Sequence, residues 1–160
     1  MPASENQALL HRFYDSFARG DAAGMNACYT PDIAFSDPVF GPLRGDRARA
    51  MWSMLCGGLV DFGLTYEVVD ADDATGRVHW IATYTYSATK RPVRNEVDGT
   101  FAFADGLIAR HDDRFDLWKW AAQALGPSGA LLGWTPFVQA KIAKTAAARL
   151  EAYLAKTQAT

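Results

Sequence analysis

Two stretches of the 160-residue sequence group side chains able to move protons. The first is Ser36-Asp37-Pro38-Val39, where a carboxylate directly precedes a proline. The proline ring keeps Asp37 extended and so fixes the direction in which its side chain leaves the backbone. Against an apolar wall the charged form of a carboxylate is disfavoured, and its proton affinity rises toward neutral pH. Such a group is suited to take a proton from carbon beside a carbonyl and return it. Phe35, Phe40 and Trp52 are available for that wall. Aspartate in such a loop also closes an Asx-type turn with the following backbone, and the sequence leaves both uses open.

The second stretch runs from Ile108 to Asp116 and contains His111-Asp112-Asp113. Strand alternation places Leu107, Ala109, His111, Asp113 and Phe115 on one face. Arg110, Asp112, Arg114 and Asp116 fall on the other, which reads as solvated. Residues two apart on a strand are about 7 Å apart along the backbone, so His111 and Asp113 can reach one ligand. A carboxylate beside the imidazole would raise its pKa and make His111 a proton donor near neutrality. The structural alternative is a histidine bonded to a backbone carbonyl and an aspartate paired with the next strand.

The elements that must hold these residues follow from periodicity. Ser4 with Gln7 has capping-box spacing, and Leu9, Leu10, Phe13, Phe17 and Ala18 then recur at helical intervals up to Gly20. Asp21 caps a second short helix that Thr30-Pro31 ends. Residues 33–36 form a short strand, and prolines and glycine exclude helix from the loop after Asp37. A third helix runs from Asp46 to Gly57-Gly58. From Leu64 the period becomes two, giving strands near 64–71, 77–88, 93–104 and 107–117, with Asp105-Gly106 as a tight hairpin turn. Trp80, Ala82, Tyr84 and Tyr86 share one strand face, for which core packing is the commoner use and a cavity lining or a subunit interface the alternatives. Two glycine-bearing loops and a last helix follow, with Thr135 as cap and Pro136 at the first position. The expected fold class is α+β. A curved antiparallel sheet and N-terminal helices enclose a pocket in one cone-shaped domain, with an added C-terminal helix within 118–160.

The order of these elements, with Gly20-Asp21, the segment from Pro31 to Pro38 and the hairpin from Gly99 to Ile108, resembles the nuclear transport factor 2-like superfamily, and within it the SnoaL-like group. The resemblance covers about residues 5 to 117 and implies a ligand in the mouth of the cone. Relatives include polyketide cyclases, ketosteroid isomerases, epoxide hydrolases and proteins without catalysis. Asp37 matches the proton-moving aspartate of ketosteroid isomerases. The isomerases' helix-one tyrosine falls on Phe13, with Tyr14 one residue further round, and their strand aspartate falls on Gly99. Asp113 matches an acidic catalytic position of the hydrolases, but 82–86 lacks their Arg-x-Asp pair. The resulting site is Asp37, His111 and Asp113 as acid-base groups, with Tyr14, Phe17, Phe35, Phe40, Trp52, Phe101, Phe103 and Phe115 lining the pocket. The expected activity is cofactor-independent isomerase, cyclase or hydrolase chemistry on a small apolar or carbonyl-bearing molecule. The alternative is a non-catalytic binding or dimerisation module.

Composition bounds the partners. Sixteen Lys and Arg against 18 Asp and Glu give a formal charge of -2, which provides no field to gather nucleic acid or an anionic membrane. Three histidines, with only His111 near the acids of the last strand, argue against a metal site. Cys28 and Cys56 have no redox or metal spacing and read as thiols of a reducing compartment. The N-terminus has no basic-then-apolar leader pattern, so a cytoplasmic location is expected. A homodimer is expected from the charged and aromatic sheet faces and the amphipathic last helix, a helix that can equally close the mouth of a pocket.

Overall fold

In the computed structural model, which describes residues 2–158, α1 (Ala3–Ala18) lays Leu9, Leu10, Phe13, Tyr14 and Phe17 into the core. Ser4 lies inside this helix. The position before it is Pro2, which has no side-chain cap, so the expected capping box does not form. Gly20, at φ +68, turns the chain where a Cβ would be strained. Asp21 then caps α2 (Ala22–Asn26), accepting a hydrogen bond from the Gly24 amide at 3.0 Å.

The first strand is longer than the sequence predicts. β1 spans Tyr29–Ser36 and runs through Pro31. Its pairing with the last strand is irregular between Tyr29 and Ala34, and that break accommodates a residue with no amide to donate. β2 (Leu43–Arg44) pairs with β1, and α3 (Asp46–Gly57) follows. β3 (Gly63–Ala71), β4 (Thr75–Tyr86), β5 (Arg91–Ala104) and β6 (Leu107–Arg114) form the expected antiparallel meander. Asp105 and Gly106 both have positive φ, as a type I′ hairpin turn requires. β1 joins parallel to β6, giving the curved sheet order β2-β1-β6-β5-β4-β3.

β6 stops at Arg114 because Asp116 begins a helix, accepting the Lys119 amide at 3.0 Å. Residues expected to be strand and loop are instead α4 (Leu117–Leu125) and α5 (Pro127–Leu132). Among the described residues three helices therefore follow the sheet where one was expected. The last, α6 (Pro136–Gln158), has Thr135 as its cap, with the Thr135 hydroxyl accepting the Val138 amide at 3.3 Å. Leu150 is buried, and an Arg47–Glu151 ion pair joins α6 to α3. No described helix is long and apolar enough to cross a membrane.

Candidate active site

Asp37 follows the last residue of β1, where the sheet ends and the chain turns back toward β2. Its Oδ1 accepts two backbone N–H groups, from Val39 at 2.9 Å and Phe40 at 2.6 Å. The Asx-type turn is thus present, and it leaves the second oxygen without a protein partner among the described residues. The same residue lines a cavity of about 750 Å³ whose wall is mainly apolar. Burial pushes the Asp37 carboxyl up to about 6. The Phe40 and Val39 amides and His111 oppose this rise, and the charge of Asp113 adds to it. Turn and proton site are two uses of two different oxygens.

Beneath the wall runs a chain of buried hydrogen bonds. Trp52 Nε1 donates to the Tyr29 hydroxyl at 2.9 Å, and Tyr29 lies 2.7 Å from His111 Nδ1. His111 Nε2 lies 2.8 Å from Asp113 Oδ1. An indole nitrogen can only donate, so the Tyr29 oxygen accepts from Trp52, and when the imidazole is neutral the Tyr29 hydrogen goes to His111 Nδ1. The imidazole then carries its hydrogen on Nε2 and gives it to the Asp113 carboxylate. Trp80 Nε1 points at the same Oδ1 from 3.4 Å. Every polar group of this relay is satisfied by the neutral tautomer, and the second oxygen of Asp113 is left for the cavity, which Asp113 also lines.

The predicted site residues divide in two. Asp37, Asp113, Phe17, Phe40, Trp52 and Phe115 meet on the cavity wall. His111 is fully buried and outside that wall, with both nitrogens engaged by protein groups. The expected direct approach of His111 to a ligand is replaced by contact through Asp113. Phe35 and Phe101 pack on the imidazole, with ring centroids 5.1 and 4.3 Å from it, and they too lie behind the wall. Tyr14 stacks on Tyr66 at 5.2 Å in the core, with its hydroxyl buried and unpartnered among the described residues. Phe103 packs against Gly76 rather than the cavity. No group of three or more His, Cys, Asp or Glu that could hold a metal ion occurs among the described residues.

Several wall residues escaped the sequence reading. The row Trp80, Ala82, Tyr84 and Tyr86, for which core and cavity were both open, lines the cavity. Tyr84 accepts from Trp120 Nε1 at 2.7 Å, and its own hydrogen has no acceptor among the described residues. It is therefore a hydroxyl donor on the wall. Strand alternation in β4 was the available signal; what it lacked was α4, which supplies Trp120.

Residues 10–111 match the family model of the SnoaL-like domain. No curated protein matches the chain at a significant level. Among solved structures, a protein from Silicibacter sp. provisionally assigned as a polyketide cyclase is 22% identical with a TM-score of 0.67, over 77% of this chain and 97% of that one. A nuclear transport factor 2-like protein from Burkholderia xenovorans is 21% identical with a TM-score of 0.64, over 78% and 98%. An LEH-like epoxide hydrolase from M. tuberculosis is 20% identical with a TM-score of 0.63, over 82% and 97%. At these identities the structures establish the shared fold. With its fold shared with those structures and most of its length matched by the family model, the chain belongs to the SnoaL-like domain family.

Proposed function

We propose that the protein is a cofactor-independent acid-base enzyme acting on a small, largely apolar, carbonyl-bearing molecule, with Asp37 as the base. One observation carries this reading: a carboxylate held by two backbone amides, with its proton affinity raised to about 6, stands on the wall of an apolar cavity. In the proposed step the free Asp37 oxygen takes a proton from carbon next to the carbonyl, and the C–H electron pair moves onto the carbonyl oxygen as an enolate. Where a carbon–carbon double bond adjoins that carbon, return of the proton from Asp37 to the far end of the dienolate shifts the double bond; where a second carbonyl is within reach, the enolate carbon attacks it to close a ring while that carbonyl's π pair moves onto its oxygen, which takes the proton from Asp37. Tyr84 is the candidate donor to the enolate oxygen, because its hydroxyl hydrogen has no protein acceptor. Asp113 raises the basicity of Asp37 through its charge, and His111 and Tyr29 are positioning residues that hold Asp113.

The test is hydrogen–deuterium exchange in D₂O, followed by proton NMR, on bicyclic ketones such as 2-decalone and 2-tetralone. Wild type should wash deuterium into the carbon beside the carbonyl. Asp37→Asn keeps an oxygen for the Val39 and Phe40 amides and should lower the rate by about 10²–10⁴-fold. An unchanged rate would remove Asp37 as the base.

The second reading, a non-catalytic ligand-binding module, is favoured by one feature: Asp37 already has a structural use in its turn. It predicts ligands that raise the melting temperature by mass action and are not turned over. The homodimer is kept as a proposal, tested by light scattering for a particle twice the 17.5 kDa chain mass.

A further inference from the structure

One side of the cavity is formed by α6, and that side is not uniformly apolar. Phe137, Val138, Ile142 and Ala146 line it, but so do Lys141 and Arg149. Eight residues apart on a helix, the two cations are separated by about 12 Å along its axis, and both fall on the flank that borders the cavity. Neither has an ion-pair or hydrogen-bond partner among the described residues. The ion pair that joins α6 to α3 uses Arg47 and Glu151 instead. Asp37 and Asp113 lie on the sheet side, and no ion pair links them to Lys141 or Arg149. The same wall includes Tyr84, Trp120 and Leu132.

The cavity thus separates its charge, with carboxylates at the sheet and unpaired cations on α6. A neutral apolar ligand would make no use of the cations, and an anionic group placed at the sheet would meet two carboxylates. We propose that the cavity takes an apolar organic acid, with its anionic group toward Lys141 and Arg149 and its apolar body reaching to Asp37. This rests on the reading of the cavity as a ligand site. It adds that the ligand is an amphiphilic anion, selected by a helix outside the segment that matches the family model. The guanidinium fork of Arg149 suits a planar carboxylate, and Lys141 supplies a mobile point charge. Both cations are exposed, so their effect is modest and weakened by salt.

The test uses two dyes with the same aromatic body, 1-anilinonaphthalene-8-sulfonate and its neutral counterpart N-phenyl-1-naphthylamine. They are titrated into the full chain and into Lys141→Gln/Arg149→Gln. The double substitution should weaken the sulfonate dye about tenfold and leave the neutral dye within twofold, and added salt should weaken only the sulfonate dye. Equal loss of both dyes, or no loss of the sulfonate dye, would overturn the acid preference. If neither dye binds wild type, the cavity reading falls and the acid preference with it. If the neutral dye binds and the substitutions leave the sulfonate dye unchanged, only the acid preference fails.

Discussion

Gly99 stands directly opposite Asp113 across β5 and β6, and a Cβ at Gly99 would lie 3.0 Å from Asp113 Oδ1. The missing side chain at 99 is thus matched by a carboxylate from the neighbouring strand. The sequence departure at Gly99 makes room for the acid that His111 holds.

Gly99→Ala should therefore crowd both Asp113 and the Phe101 ring, which would be 3.1 Å from the new carbon. Overpacking of this kind costs about 1–3 kcal/mol, and urea denaturation should show it as a lower midpoint with an unchanged slope. A midpoint equal to wild type would mean that Asp113 is not confined by this contact.

Tyr29→Phe removes one hydroxyl that serves two partners. Trp52 Nε1 loses its acceptor and His111 Nδ1 loses its partner, both in a buried site. We expect a loss of about 2–4 kcal/mol, measured by chemical denaturation, because each unsatisfied buried group costs about 1–3 kcal/mol. A loss below about 0.5 kcal/mol would show that the relay contributes little to holding the strand pair.

Asp37 also makes stability depend on pH. Its carboxyl is raised from 3.8 to about 6 in the folded state, so between those values the folded chain binds more protons than the unfolded one. The sign follows directly: stability falls as pH rises through this window and levels off above it, a loss of about 3 kcal/mol for this one group. Denaturation of wild type and Asp37→Asn at pH 4 and pH 7 isolates the contribution. Wild type should lose that amount relative to Asp37→Asn on going to pH 7, and parallel behaviour would contradict the raised proton affinity.

Local signals carried most of the fold. Period-two alternation located β3 to β6, Asp105-Gly106 located their hairpin, and Asp21 and Thr135 cap the helices that the sequence assigns to them. Of the helices after β6, α4 and α5 were hidden by glycines that read as loop. A Cβ on Gly129 would sit 2.0 Å from the Ala121 carbonyl oxygen, so that glycine marks close contact between α4 and α5 and not an open connection. The wall contributed by α4 and α5 was hidden with them, whereas α6 was expected.

The site was legible to the same depth. Asp37 could be read from its proline, and Asp113 from alternation along β6. Tyr29 could be read as a hydrogen-bonding tyrosine but its partner could not, because that depends on β1 pairing in parallel with a strand whose His111 is 82 residues distant. The aromatic residues expected at the pocket show the same limit: Phe17, Phe40, Trp52 and Phe115 reach the wall, whereas Tyr14, Phe35, Phe101 and Phe103 are used in packing. Alternation gives the inward face of a strand, and only the neighbours decide whether that face meets core or cavity.

The proposed base, Asp37, is a carboxylate of raised proton affinity facing an apolar cavity and coupled to Asp113. Carbon-13 NMR titration of the Asp37 carboxyl in the intact chain tests it without a ligand. The account predicts a midpoint near 6 in wild type and a lower one in Asp113→Asn, since the charge of Asp113 contributes to the rise. A wild-type midpoint near the ordinary 3.8, or one that Asp113→Asn leaves unmoved, would contradict it.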